Sequence, residues 1–198
     1  MDDVVRQAMA KWPNVPHCFG WLKLDARGHW RMRDERAQQQ NLPGDRIAHP
    51  ALLGFINRNY THDEQGRWYF QNGPQRVYVD LELTPHVVRT DPVAGFITQT
   101  GDTLQAISGA WLTREGQLVL VSDAVVAALD DRDAAAVLAT LTVAGRPASD
   151  DEIMEWLDGS DAAALVFSHG GNLLHLQRTS NAELAERFGF VAQPRATA

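Results

Sequence analysis

Hydrophobic and polar positions alternate most regularly over residues 67–83. Val77, Val79, Leu81 and Leu83 share one parity, and Arg76, Tyr78, Asp80 and Glu82 the other. Successive strand side chains point to opposite faces, so this period of two predicts a half-buried strand, its aliphatic set inward and its charged and phenolic set in water. Asn72-Gly73-Pro74 supplies a turn, and residues 67–71 read as the hairpin partner.

Helical spacing takes over elsewhere. Val4, Val5, Ala8, Met9 and Trp12 form one stripe of a helix over residues 2–12, which Pro13 and Pro16 stop. Residues 50–60 open on Pro50, which suits a first helical turn, and bury Leu52, Leu53, Phe55, Ile56 and Tyr60. Residues 130–141 are alanine-rich, with Asp130, Asp131 and Asp133 where carboxylates complement the helix dipole. Ser149 with Glu152, and Ser180 with Glu183, are capping-box patterns opening short helices that run to Leu157 and Phe188. Strands are expected at 19–24 and 29–33 around a turn at Gly28, at 110–121 around Glu115-Gly116, and at 163–167 and 173–178 around residues 169–172. Residues 33–45 read as an exposed polar loop, residues 86–100 as extended chain, and the residues from Gln193 onward as a polar tail.

The run from Trp68 to Asp80 lies on that from Leu165 to Gln177 without a gap: Phe70 meets Phe167, Gly73 meets Gly170, Val77 meets Leu174, Val79 meets Leu176 and Tyr78 meets His175. Helix 50–60 then corresponds to helix 130–141. The fold class expected is α+β: two similar β-β-α-β-β units, with mainly antiparallel sheets each carrying a packed helix. Residues 1–90 would form the first unit with its leading helix and residues 91–198 the second with its terminal helix, the boundary falling between 88 and 108.

Charge sharpens that division. The net charge is −7, but residues 1–90 hold 12 Lys and Arg against 10 Asp and Glu, while residues 91–198 hold 6 against 15. Four of the six tryptophans fall in the first part. The overall sign disfavours sequence-independent nucleic-acid binding. No window approaches the length of a membrane span, no secretory signal opens the chain, and the single cysteine, Cys18, fits a reducing compartment, so a cytoplasmic protein is expected.

Complete catalytic or cofactor signatures are missing. No Gly-x-Ser-x-Gly elbow, Walker A loop or Gly-x-Gly-x-x-Gly occurs, and His17-Cys18 and His62-Asp63-Glu64 lack metal-ligand spacing. The reading therefore assigns no metal, no cofactor and no catalytic residue. Cys18 reads as a buried inert thiol and Trp21 as core. What stands out is the concentration of arginines and aromatic rings in the first part, a pairing suited to anionic, ring-bearing ligands. The candidate ligand-binding set is Arg33, His49, Arg58, Trp68, Asn72, Arg76, Tyr78 and Asp80, with Arg76 and Tyr78 expected on the open strand face.

Residues 24–30, 46–52, 63–68 and 78–82, followed by Thr98-Gln99-Thr100-Gly101-Asp102, resemble a bacterial family of unknown function. Its members have a D-G-x-W hairpin, an R-P-x-L helix start, a D-G-x-Y turn and a T-x-x-G-D segment. Here Arg27-Gly28 stands where that family has Asp-Gly, and Gln75-Arg76 where it has Glu-Lys. The resemblance implies a duplicated α+β core, a second half like a pleckstrin-homology barrel, a groove between the halves, a nucleotide-like ligand and a signalling role. The leading reading is a non-enzymatic binding or sensor module for a small anionic ligand. The alternatives are an enzyme using Asp80, Glu82 or His62 in acid-base chemistry, and an adaptor for a protein partner.

Overall fold

The computed structural model describes residues 1–123, 125–160 and 164–196; Ala163, with which one expected strand begins, lies outside them. The protein is α+β, with mostly antiparallel sheets. It divides into two compact units, the first comprising Met1–Pro85, Gln99–Gly101 and Ala185–Ala198, the second His86–Thr98 and Asp102–Leu184.

In the first unit the elements are α1 (Asp3–Lys11), β1 (Cys18–Leu24), β2 (Trp30–Met32), α2 (Glu35–Gln39), β3 (Asp45–Arg46), α3 (Pro50–Arg58), β4 (Tyr60–His62), β5 (Trp68–Asn72) and β6 (Gln75–Leu81). They build a six-stranded sheet in the order β3-β2-β1-β6-β5-β4. Hairpins close locally, β1 with β2, β4 with β5 and β5 with β6, and β6 then runs parallel to β1 with Val79 opposite Leu22. The turn between β1 and β2 is held by Asp25, whose Oδ1 accepts from the backbone N–H of Arg27 at 3.0 Å and of His29 at 2.8 Å.

That central position overturns the half-buried reading of β6. Its aliphatic face packs under α3, where Phe55 meets Phe70 edge-on at 5.3 Å. The opposite face is covered as well: Tyr78 is 1% exposed and Asp80 3%. The expected open loop at 33–45 instead contains α2, whose N-cap Asp34 accepts from Ala37 N–H at 2.7 Å. Trp21, expected in the core, is 39% exposed, and Cys18 is half-buried. Just before the expected polar tail the chain joins the sheet, Val191 N–H donating to Gly66 O at 2.9 Å and Leu81 N–H to Ala192 O at 2.7 Å, and within that tail Arg195 is anchored on Asp80 rather than free in water.

The second unit contains β7 (His86–Asp91), β8 (Gly95–Thr98), β9 (Gly109–Thr113), β10 (Leu118–Ser122), β11 (Val125–Leu129), α4 (Asp131–Leu138), β12 (Thr142–Val143), β13 (Arg146–Pro147), α5 (Asp150–Leu157), β14 (Leu165–His169) and β15 (Asn172–Thr179). A 3-10 turn (Asn181–Glu183) leads into α6 (Leu184–Phe188). The nine strands run β13-β12-β14-β15-β9-β10-β11-β7-β8. Here too two hairpins, β9 with β10 and β14 with β15, join through a parallel pair, Leu176 opposite Ala110. The core gathers Leu112, Leu120, Leu129, Leu141 and Leu165 beneath Ile153 and Trp156 of α5. Ser149 caps α5 reciprocally with Glu152. Residues 86–100, expected as extended chain, form the β7–β8 hairpin, and β11 was hidden in an apolar run that does not alternate.

Candidate functional site

The register of β5 and β6 sets Tyr69 opposite Tyr78 and Gln71 opposite Arg76, so these four side chains share one face. Phe19 of β1 lies flat against Tyr78, with ring centroids 4.6 Å apart and planes 4° from parallel. His17, just before β1, meets the same ring edge-on at 5.7 Å. Two guanidinium groups cap the rings, Arg67 at 4.9 Å from the Tyr78 centroid and Arg76 at 4.7 Å from that of Tyr69.

Asp63, in the turn from β4 to β5, ties the patch together. It accepts from the Tyr78 hydroxyl at 3.0 Å, from Arg67 Nε at 2.8 Å, and from the backbone N–H of Gln65 and Arg67. Burial pushes this carboxyl up, but these donors outweigh it and hold Asp63 below its ordinary value. His17 is lowered as well: burial, and then the positive charges of Arg76 and Arg67, depress its imidazole. Among the described residues Arg76 makes no ion pair. The patch thus holds more positive than negative charge, laid on aromatic faces.

Further along β6, Asp80 is held between two arginines. Arg33 Nη1 donates to one carboxylate oxygen at 2.8 Å and Arg195 Nη1 to the other at 2.7 Å. Arg33 Nε is buried with no hydrogen-bond partner among the described residues. Next on that face, Glu82 is paired with Lys23 at 2.7 Å. On the aliphatic face, Leu22, Leu52, Ile56, Phe70 and Val77 line an apolar cavity of about 260 Å³, with Cys18 at its wall. Burial raises that thiol, which keeps it protonated.

The sequence-derived set is therefore split. Arg76 and Tyr78 come together in the patch, with Tyr78 as its buried floor. Arg33 and Asp80 pair with each other. Trp68 packs against the tilted rings of Tyr60 and His62, each 4.8 Å away. His49 and Arg58 sit at the two ends of α3, across the sheet: His49 Nδ1 caps the helix by accepting from Leu52 N–H, and Arg58 pairs with Asp2. Asn72 is exposed at the end of β5. Sequence reasoning passed over His17, Phe19, Asp63 and Arg195 as ligand-site residues. The four-residue spacing of Asp63 and Arg67 around Gly66 was the available signal for one of them; nothing local marks Arg195.

The first unit is thus a mixed sheet carrying a cationic aromatic patch beside a buried arginine-carboxylate cluster. The chain belongs to the family DUF2944, described as "Protein of unknown function (DUF2946)", whose model matches residues 1–195. A family of unknown function is what the sequence runs led one to expect. Among solved structures, a DUF1285 family protein from Silicibacter pomeroyi DSS-3 is similar at 14% identity and a TM-score of 0.46, over 89% of this chain and 96% of that one. A DUF1285 family protein from Shewanella baltica OS155 is similar at 14% identity and a TM-score of 0.38, over 57% of this chain and 86% of that one. No curated protein matches. Among the described residues, no helix is long and apolar enough to cross a membrane.

Proposed function

We propose that the protein is a non-enzymatic binding module for a small anionic ligand with a planar ring, a nucleotide-like molecule, held at the patch of His17, Arg67, Tyr69 and Arg76. The observation that carries this is Arg76. Its guanidinium lies on the Tyr69 ring with no ion-pair partner among the described residues, beside a second arginine and a histidine depressed by burial and by both arginines. An arginine so placed keeps N–H donors for a phosphate or carboxylate while the neighbouring rings offer stacking surface. Tyr78 and Asp63 serve as the scaffold that fixes Arg67.

The acid-base alternative loses support, because Asp80 and Glu82 are each committed to ion pairs. We also propose that the two units arose by duplication. Their shared arrangement supports this: an N-terminal and a C-terminal hairpin joined by a central parallel pair, β1 with β6 and β9 with β15. A signalling role stands as the corresponding cellular expectation.

Thermal unfolding with nucleotides, nucleosides and inorganic phosphate tests the binding proposal. A ligand at 100 times its Kd stabilises the folded state by about 2.7 kcal/mol. Stabilisation by a nucleotide that exceeds that by phosphate or nucleoside, and that disappears in Arg76→Ala, is expected. No stabilisation by any of the three, or the same stabilisation in Arg76→Ala, would remove the proposal.

A further inference from the structure

β5 and β6 are paired only as far as Tyr69 and Tyr78. Beyond that point they part, and residues 190–195 enter the fork. Val191 bridges Arg67 in parallel, its N–H bonded to Gly66 O, and Ala192 O accepts from Leu81 N–H. Phe190 is buried at the mouth of the fork. At its far end the Arg195 guanidinium reaches Asp80 through Nη1 at 2.7 Å and Nη2 at 3.5 Å, its own side chain still 55% exposed. Backbone bonds to a strand edge together with one selective side-chain contact are how sheets take up extended peptides.

The floor of the fork does not depend on this occupant. Asp80 stays paired with Arg33 when Arg195 leaves, so departure leaves no lone buried charge. The backbone groups uncovered, Gly66 O and Leu81 N–H, are those that any extended segment satisfies. The selective element is the carboxylate: almost fully buried, it favours a guanidinium, whose planar fork matches its two oxygens.

We infer that the fork between β5 and β6 is a docking slot for an extended, arginine-bearing peptide segment of a partner protein, and that residues 190–195 are its intramolecular occupant. Charge complementarity at Asp80 names the class. A partner segment presents an apolar residue to the site of Phe190, two backbone hydrogen bonds to Gly66 and Leu81, and an arginine to Asp80. The slot lies beside the anion patch and is independent of it, so failure of one leaves the other standing.

The test uses the full chain carrying Val191→Pro and Arg195→Ala, which removes one backbone donor and the guanidinium from the intramolecular occupant. Amide exchange at Leu81 is the readout, with and without a synthetic octapeptide of residues 189–196. Exchange at Leu81 is expected to accelerate about tenfold or more in the variant, and the peptide to restore protection. The same peptide with alanine for arginine is expected to need about tenfold or higher concentration, which corresponds to about 1.4 kcal/mol. If Val191→Pro prevents folding, Arg195→Ala alone serves in the same comparison. Equal potency of the two peptides, or no protection by either, overturns the inference. So does a concentration-dependent dimer of the wild-type chain that excludes the peptide, because the occupant would then be a second copy.

Discussion

Arg33 donates through Nη1 to Asp80 at 2.8 Å, tying the end of the first hairpin to the central strand with both side chains almost fully buried. Removing one partner of a buried pair strands the other's charge. Asp80→Ala is therefore expected to lower the unfolding free energy by about 3–5 kcal/mol, and Arg33→Ala by less, because Arg195 still pairs with Asp80. The double change Arg33→Met with Asp80→Leu should recover much of that loss, because burial costs both charges and the pair regains only part. Urea unfolding of the four proteins measures it. A double variant no more stable than the singles would contradict the argument.

Gly66 sits at φ +72°, and a Cβ there would fall on the carbonyl oxygen of Gly189. Both the left-handed backbone and the close approach of the two chains require glycine. Gly66→Ala is expected to cost more than about 1 kcal/mol and to raise amide exchange at Val191, whose N–H bonds to Gly66 O. Gly73, at φ +57° with open space around its Cβ position, provides the control: Gly73→Ala carries the backbone strain alone and leaves Val191 protected.

Acid titration separates two groups in the patch. Burial raises the Asp63 carboxyl, but hydrogen bonds from Arg67, Tyr78 and Gln65 hold it below its ordinary 3.8, so the unfolded chain binds its proton first. Its contribution is present above pH 3.8 and is lost as pH falls through the depressed folded value. His17 is also depressed, from 6.5, by burial and by Arg76 and Arg67; its contribution is present above 6.5 and disappears as pH falls through the lowered value. Unfolding midpoints measured from pH 7 downward should decline in two stages. His17→Gln should remove the upper stage and Asp63→Asn its own share of the lower, to which the depressed Asp25 and Asp130 also contribute. Nucleotide binding should raise the His17 value, because an anion offsets the two arginines.

Much of the architecture was legible because local signals agree. Gly28 and Gly73 mark hairpin turns, Pro50 marks the start of α3, and Ser149 with Glu152 marks that of α5. The failures share one physical origin, which is that distant segments decide burial. The alternation in β6 is real, yet nothing near Tyr78 or Asp80 announces that Phe19 and residues 190–195 will cover that face. β11 reads as an undirected apolar run because it is buried between β10 and β7. In the site, Arg76 was found because its type and neighbours are local, whereas Arg195 reaches Asp80 across 115 positions.

The parallel pair at the centre of each sheet governs the order in which the structure can form. Hairpins such as β5 with β6 close loops of a few residues and form within microseconds. Joining Leu22 to Val79, or Ala110 to Leu176, closes a long loop and costs chain entropy before any contact rewards it. The first unit is therefore expected to wait, hairpins made and centre open, for one slow meeting, and the second for two, since β7 also joins β11 in parallel. Docking residues 190–195 in the fork, with Val191 beside Arg67, closes a longer loop still.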